Sequence, residues 1–320
     1  MRHLSEEQQA EHVRVAYYYY KVGLTQEQIA GRMHLSRQRI NRILGQCVEL
    51  GIVQINIAGY EKSHVELETR LEERYRLQAV RIVGHVTAEN AYSLLGLAAA
   101  KYLAGIIQSK DVIGFSRGRA MSSLVHNLPR MNRENLMITQ LMGSWNSQQT
   151  NVNVDDIVHR AAENFGASTT MLYAPAVVNK RELRDSIMRE PFFMEAYEVI
   201  RSCTIAAVGI GELALPLLSD IPLMNEKEYQ LYRDKQAVGE ICAHFFDRNG
   251  RAVTTEFDER TIVVALEDYL SIPLRIGVAG LPSKLSAIQG ALIGGYINVL
   301  VTDLDTAEAL IDNNQCECLK

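Results

Sequence analysis

Apolar positions change period along the chain. In the first 60 residues they recur at helical spacing. Val13, Ala16, Tyr17 and Tyr20 form one predicted face that ends near Gly23, a helix stop. Thr25 and Gln28 form a capping box that opens a short helix with Ile29, Ala30 and Met33 inward. After the turn at "HLS", Ser36 caps a further helix, in which Ile40, Ile43, Leu44 and Cys47 recur at i, i+3, i+4 and i+7. Gln38, Asn41 and Arg42 then point outward, with Arg37 on the flank. Next, "IVQINI" alternates apolar and polar and predicts a strand, the wing of a winged helix. The spacing in "HVELETRLEERYRL" predicts a linking helix, which could pack against a second subunit.

From Ala79 the period alternates. "AVRIVG", "DVIGFS", "NLMITQLMG", "STTMLY", "TIAAVGIG", "LRIGVAG" and "INVLVTD" read as strands, with amphipathic helices between them. Such β-branched runs separated by helices predict a mostly parallel sheet covered on both faces, a Rossmann-like α/β body. The boundaries expected are residues 1–60 for a helical head and 61–320 for the body.

The chain has 320 residues, 47% hydrophobic and 22% charged, with a net charge of -5. That is enough length for two domains. The charge is uneven: residues 1–60 hold seven Lys/Arg against five Asp/Glu, so the acidic excess belongs to the remainder. Four arginines, Arg32, Arg37, Arg39 and Arg42, sit between Thr25 and Leu44 with one acid, Glu27. A basic head on an acidic body predicts that the head alone meets a polyanion. Two capped helices around a short turn, the second exposing Arg, Gln and Asn, form a helix-turn-helix that reads double-stranded DNA. The alternative is a three-helix cap with a solvated basic face. Tyr17 to Tyr20 cover every face of a helix, so two are expected in the core and two at the surface. No apolar run reaches membrane-spanning length, and the polar "MRHLSEEQQAEH" lacks a leader's apolar stretch. Five scattered cysteines make no disulfide framework and fit a reducing cytoplasm; no metal-ligand spacing and no cofactor motif occurs, and Cys316 and Cys318 read as a terminal tail.

Ligands of parallel sheets lie outside the carboxyl ends of the strands. Ser116, Gly118 and Arg119 follow "DVIGF" and open a helix, an anion cradle with an arginine that is neither a Walker loop nor GxGxxG. "MGSWNSQQ", with the only tryptophan, Trp145, follows the next strand, and "GIGE" follows "TIAAV". Asp247 follows "EICAHFF", taken as one strand, and either binds hydroxyls or starts an Asp-Arg-Asn-Gly turn. Lys284 follows "LRIGVAG" and could pair with an anion. Asp303 or Asp305 caps the last helix. Together these suit a small, hydroxyl-rich, phosphorylated molecule.

"GLTQEQIAGRMHLSRQRINRIL", "VIGFSRGRAM", "AVGIGE", "AVGEICAHFFDRNG" and "RIGVAGLPSKLSAIQGALIGGYINVLVTDLDTA" resemble the SorC/DeoR-like family of bacterial sugar-responsive transcriptional regulators. The resemblance spans nearly the whole chain. It implies a helix-turn-helix that binds operator DNA, through Thr25, Gln26, Ser36, Arg37, Gln38, Asn41 and Arg42. It implies a body of the sugar-phosphate isomerase/deaminase type that binds a sugar or sugar phosphate without turning it over, in a homo-oligomer, a tetramer or a dimer. The matching effector positions are Gly114, Ser116, Gly118, Arg119, Gln140, Gly143, Asp247 and Lys284. Two departures stand out: "QLMGSWN" lacks the double glycine often found after that strand, and "GLPSK" replaces a common Gly-Gly before the lysine. The competing readings are an isomerase- or deaminase-like enzyme carrying a DNA-binding head, and a DNA-binding protein whose body only oligomerises.

Overall fold

The computed structural model describes residues 4–55, 63–144, 152–213 and 223–312. The chain divides into two compact units, Met1–Ser63 and His64–Lys320.

The first unit holds α1 (Glu6–Tyr20), α2 (Gln26–Met33) and α3 (Arg37–Glu49). Thr25 Oγ1 accepts from the Gln28 amide at 3.3 Å and Gln28 Oε1 accepts from the Thr25 amide at 2.9 Å, so the capping box forms. Ser36 Oγ caps α3 through the Arg39 amide at 3.2 Å. A further capping box, Ser5 with Gln8, opens α1. Val15, Ala16, Ile29, Ala30, Ile40, Ile43, Leu44 and Cys47 are the core. The expected face of α1 is corrected. Val13, Tyr17 and Tyr20 are exposed, and α1 instead buries His12, Val15 and Ala16. The His12 ring bridges the Gln8 carbonyl (2.7 Å) and Gln46 Oε1 (3.0 Å), which is how a polar side chain fits there. None of Tyr17 to Tyr20 is buried; Tyr18 is half-buried and the other three are exposed. No strand forms through Ile55, and the remainder of "IVQINI" lies outside the described residues.

The second unit opens with α4 (Val65–Tyr75), β1 (Ala79–Val83), α5 (Ala91–Ile106), β2 (Val112–Phe115), α6 (Arg119–His126) and β3 (Met137–Gln140). It continues through α7 (Val154–Phe165), β4 (Ser168–Thr170), α8 (Arg181–Met188), α9 (Pro191–Arg201) and β5 (Ile205–Gly209). There follow β6 (Gly211–Glu212), α10 (Glu226–Asp234), β7 (Ala237–Ile241), β8 (His244–Asp247), β9 (Ala252–Val253) and α11 (Leu266–Ser271). It closes with β10 (Leu274–Val278), α12 (Leu285–Ile293), β11 (Val299–Asp303) and α13 (Leu304–Asp312). The seven-stranded sheet runs β1-β11-β10-β5-β2-β3-β4 and is parallel throughout. Residues of α5, α6 and α7 build the core on one face. Residues of α4, α9, α12 and α13 build it on the other. Continuous apolar strands such as "IAAVG" are what burial on both faces demands.

The α4 helix docks within its own chain. Glu72 Oε1 accepts from the Val80 amide at 2.8 Å and Glu68 Oε1 from the Ile82 amide at 2.9 Å. These are outward-facing donors of β1, the edge strand. Leu71 and Tyr75 are buried, and Tyr75 Oη donates to the Leu310 carbonyl of α13.

The second sheet, antiparallel β6-β7-β8-β9, was not expected. "EICAHFF" is not one strand. It folds at Cys242–Ala243, both at positive φ (51° and 61°), into a two-residue hairpin between β7 and β8. That is the primed turn geometry, built here without the Asn-Gly pair that announces it.

Candidate functional site

In the first unit Arg37, Gln38, Asn41 and Arg42 lie on the exposed side of α3. Thr25 is the exposed N-cap of α2, and Gln26 Nε2 donates to Asn41 Oδ1 at 3.3 Å, tying the two helices' outer edges together. The four arginines divide. Arg39 is held by Glu11 through Oε1 and Oε2, both at 3.0 Å, and Arg32 lies 4.8 Å from the Tyr18 ring centroid. Arg37 and Arg42 make no ion pair, hydrogen bond or ring contact among the described residues. The exposed row of α3 thus offers two unpaired guanidiniums with a glutamine and an asparagine, the donors and acceptors that read phosphates and base edges.

In the second unit the chain moves outward one way from β2 through β3 and β4, then resumes at β5 on the other side of β2 and continues through β10 and β11. The crevice at the carboxyl ends of β2 and β5 is the switch point where such sheets hold ligands. Ser116 bridges it. Its amide donates to the Ala207 carbonyl (3.0 Å), and its Oγ accepts from the Gly209 amide (3.0 Å) and donates to the Arg117 carbonyl (3.2 Å). With its hydroxyl committed, Ser116 shapes the crevice. Gly118 caps α6 at φ 146°, a conformation costly for any residue with a Cβ. Gly118 has no side chain to cap the first turn of α6, and among the described residues no other side chain accepts from its amides, which open toward the crevice with Arg119.

Lys284 reaches the same crevice from the β10–α12 turn, where Nζ donates to the Ile210 carbonyl at 2.8 Å. Tyr92, at the start of α5, joins the two cations: its ring centroid lies 4.2 Å from Arg119 Cζ and 5.8 Å from Lys284 Nζ. Tyr92 Oη also accepts from Arg119 Nη2 at 2.8 Å. Burial pushes the Lys284 ammonium pKa down, aided by Arg119 and opposed by the carboxylates of Glu212 and Glu240. Burial pushes the Glu240 carboxyl up, against the Ala243 amide, Lys284 and Arg117. Glu240 Oε2 accepts from that amide at 2.9 Å, and Gly211 lies against the carboxylate so closely that a Cβ would sit 2.3 Å from Oε1.

The loop that carries Lys284 is clamped. Leu281 is at φ 81°, a conformation that favours glycine. Its amide donates to Oδ2 of the fully buried Asp303 at 2.7 Å. Asp303 also caps α13, accepting from the Thr306 amide at 2.9 Å and Thr306 Oγ1 at 2.8 Å. Asp303 is thus the cap of the last helix, while Asp305 pairs with His85.

The other expected positions divide. Gln140, at the end of β3 opposite Phe115, is fully buried; Nε2 donates to the Met142 carbonyl at 2.8 Å and Oε1 has no donor among the described residues. Gly114 is inside β2, where a Cβ would meet Leu141 at 2.4 Å, so its smallness serves packing. Gly143 gives its amide to the Ile262 carbonyl and lies against Ala174–Ala176, so it offers no donor to a ligand. Asp247 Oδ1 accepts from the Asn249 and Arg251 amides, both at 2.9 Å, and closes the Asp-Arg-Asn-Gly turn. That turn packs against Gly290 and Gly294 in the last turn of α12 and at its end. Lys284 is at the other end of the helix, about 13 Å away. The structure therefore does not bring Asp247 to Lys284. The carboxylates beside that lysine are Glu240 and Glu212. Trp145, Cys316 and Cys318 lie outside the described residues.

A three-helix unit with an exposed polar recognition row, followed by an α/β unit with a cationic crevice at its switch point, defines a DNA-binding regulator with a sensing domain. Residues 61–312 match the family model described as "Putative sugar-binding domain". The deoxyribonucleoside regulator of Bacillus subtilis is 30% identical over 313 residues, 97% of this chain and 100% of that protein. The sorbitol operon regulator of Klebsiella pneumoniae is 30% identical over 307 residues, 93% of this chain and 96% of that protein. The crystal structure of the full-length sorbitol operon regulator SorC from Klebsiella pneumoniae has a TM-score of 0.74 at 29% identity, covering 97% of this chain and 100% of that one. The chain belongs to the SorC/DeoR-like family of transcriptional regulators that carry this sugar-binding domain. Its relatives are named as regulators, which favours the regulator over the isomerase or deaminase reading. Among the described residues no helix is long and apolar enough to cross a membrane.

Proposed function

We propose that this regulator binds double-stranded operator DNA through its first 60 residues and a sugar phosphate in residues 61–320, without turning it over. It would act in the cytoplasm as a homo-oligomer, a dimer or tetramer that presents paired recognition helices. The α3 side chains Arg37, Gln38, Asn41 and Arg42 would enter the major groove, with Thr25, Gln26 and Ser36 at the backbone. The first turn of α6, Arg119 and Lys284 would hold the phosphate, Glu240 would accept hydrogen bonds from hydroxyls, and Gln140 Oε1 would take one more.

One observation carries the reading of the body: Arg119 and Lys284 come from different strand–helix turns and meet over the Tyr92 ring at the switch point. Two cations beside free helix amides suit a dianionic phosphate, and the carboxylates beyond suit a polyol. A thermal-shift screen of the full chain against sugars and sugar phosphates tests it. A ligand at 100 times its Kd stabilises by about 2.7 kcal/mol. The expected result is a sugar-phosphate hit that alters affinity for a duplex selected from a random library. Turnover of the hit without any effect on DNA would instead support the enzyme, and no hit would support a body that only oligomerises.

A further inference from the structure

The Tyr92 ring collects cations that would otherwise repel each other. Arg119 already works against protonation of Lys284, so the two charges feel one another. An aromatic face offsets that repulsion, because its quadrupole attracts both. The ring packs only at the margin of the core: α5 fills that core with Ala91, Leu95, Ala99, Ala100 and Leu103, and Tyr92 beside them is half-buried. Its hydroxyl also occupies one Arg119 N–H.

We propose that Tyr92 is the positioning residue of the phosphate subsite. Its ring holds Arg119 and Lys284 as one dicationic clamp, and its hydroxyl occupies the arginine until an anion displaces it. This rests on the proposed reading that the crevice binds a phosphorylated sugar. It makes Tyr92 a determinant of selectivity for phosphate over uncharged hydroxyls, acting through the two cations.

The test uses the full-length protein with inorganic phosphate as probe, followed by 31P line broadening, and compares Tyr92→Leu, Tyr92→Phe and Arg119→Ala. The expected result is a loss of roughly tenfold or more in phosphate affinity for Tyr92→Leu. Tyr92→Phe should bind phosphate at least as tightly as the parent, because the ring remains and the competing acceptor is gone. Wild-type affinity in Tyr92→Leu beside a loss in Arg119→Ala overturns the role of Tyr92 and leaves the phosphate site standing. A loss in Tyr92→Phe as deep as in Tyr92→Leu also overturns it, since the ring would not be what holds the clamp. Failure of the parent protein itself to bind phosphate overturns the site reading, and the proposal with it.

Discussion

Replacing Asp303 by alanine tests whether the loop carrying Lys284 is clamped from beneath. The carboxylate takes three donors: the part-buried Leu281 amide and the buried Thr306 amide and Thr306 Oγ1. Alanine leaves all three without an acceptor. Each unsatisfied buried donor costs about 1–3 kcal/mol, so the expected loss is roughly 3–6 kcal/mol after partial relaxation. Leu281, at positive φ, would keep only the bond from the Lys284 amide to its carbonyl and its packing against the core. For a body of this size the melting temperature should fall by at least about 6 °C. The assay is urea denaturation monitored through the body's transition, with Thr306→Val as internal standard. That variant removes only Oγ1 and should cost about 1 kcal/mol. A loss below about 1 kcal/mol for Asp303→Ala would refute the clamp, and parity of the two variants would mean that neither the Leu281 nor the Thr306 amide bond contributes.

Gly239→Ala should cost about 1–3 kcal/mol, read as a lower urea midpoint, since a Cβ there would lie 2.6 Å from Ala287 Cβ and 2.9 Å from the Gly211 carbonyl. Glu240→Gln should flatten a pH slope. The Glu240 pKa is raised on folding, so the native state binds more protons than the unfolded one above the ordinary carboxylate range, and the parent loses stability as pH rises through that window. Denaturation midpoints measured from pH 4 upward check it, and an unchanged slope would count against the burial of this acid. Arg42→Ala should lower the salt slope of operator binding by about 0.9 if the side chain meets a phosphate. Arg39→Ala should leave that slope alone and cost under about 1 kcal/mol, because its partner Glu11 already neutralises it in an exposed pair.

The large sheet was legible because its strands are continuous apolar runs; "VLVTD" is buried at every position. Positions read by counting past the end of such a strand, Arg119 and Lys284, fell together. The small sheet was not legible. Its strands are two to five residues long, and the Cys242–Ala243 turn lacks the residues that ordinarily mark positive φ. Read as one strand, "EICAHFF" makes Asp247 a strand-end acid. The fold reverses direction before it, and the acid at the crevice is Glu240, the one charged residue within "AVGEI". The sequence carried no signal for it, because "AVGEI" puts apolar Val238 and acidic Glu240 on the same, less buried side of β7. In α1 four successive tyrosines supply apolar character to every face, which hid the smaller Val15–Ala16 stripe and left His12 unnoticed.

The first helix of the body spends two glutamates on the edge of a sheet. Glu68 and Glu72 take the Ile82 and Val80 amides that another strand would otherwise claim, and they do so one and two turns into the helix that follows the linker. Mechanically this is a shear joint. A load on the first turns of α4 is borne by two charge-assisted hydrogen bonds, with Leu71 and Tyr75 buried behind them. Conversely, a shift of β1 against β11 must drag the start of α4 with it. The sheet edge and the helix that opens the body are, in effect, one mechanical part.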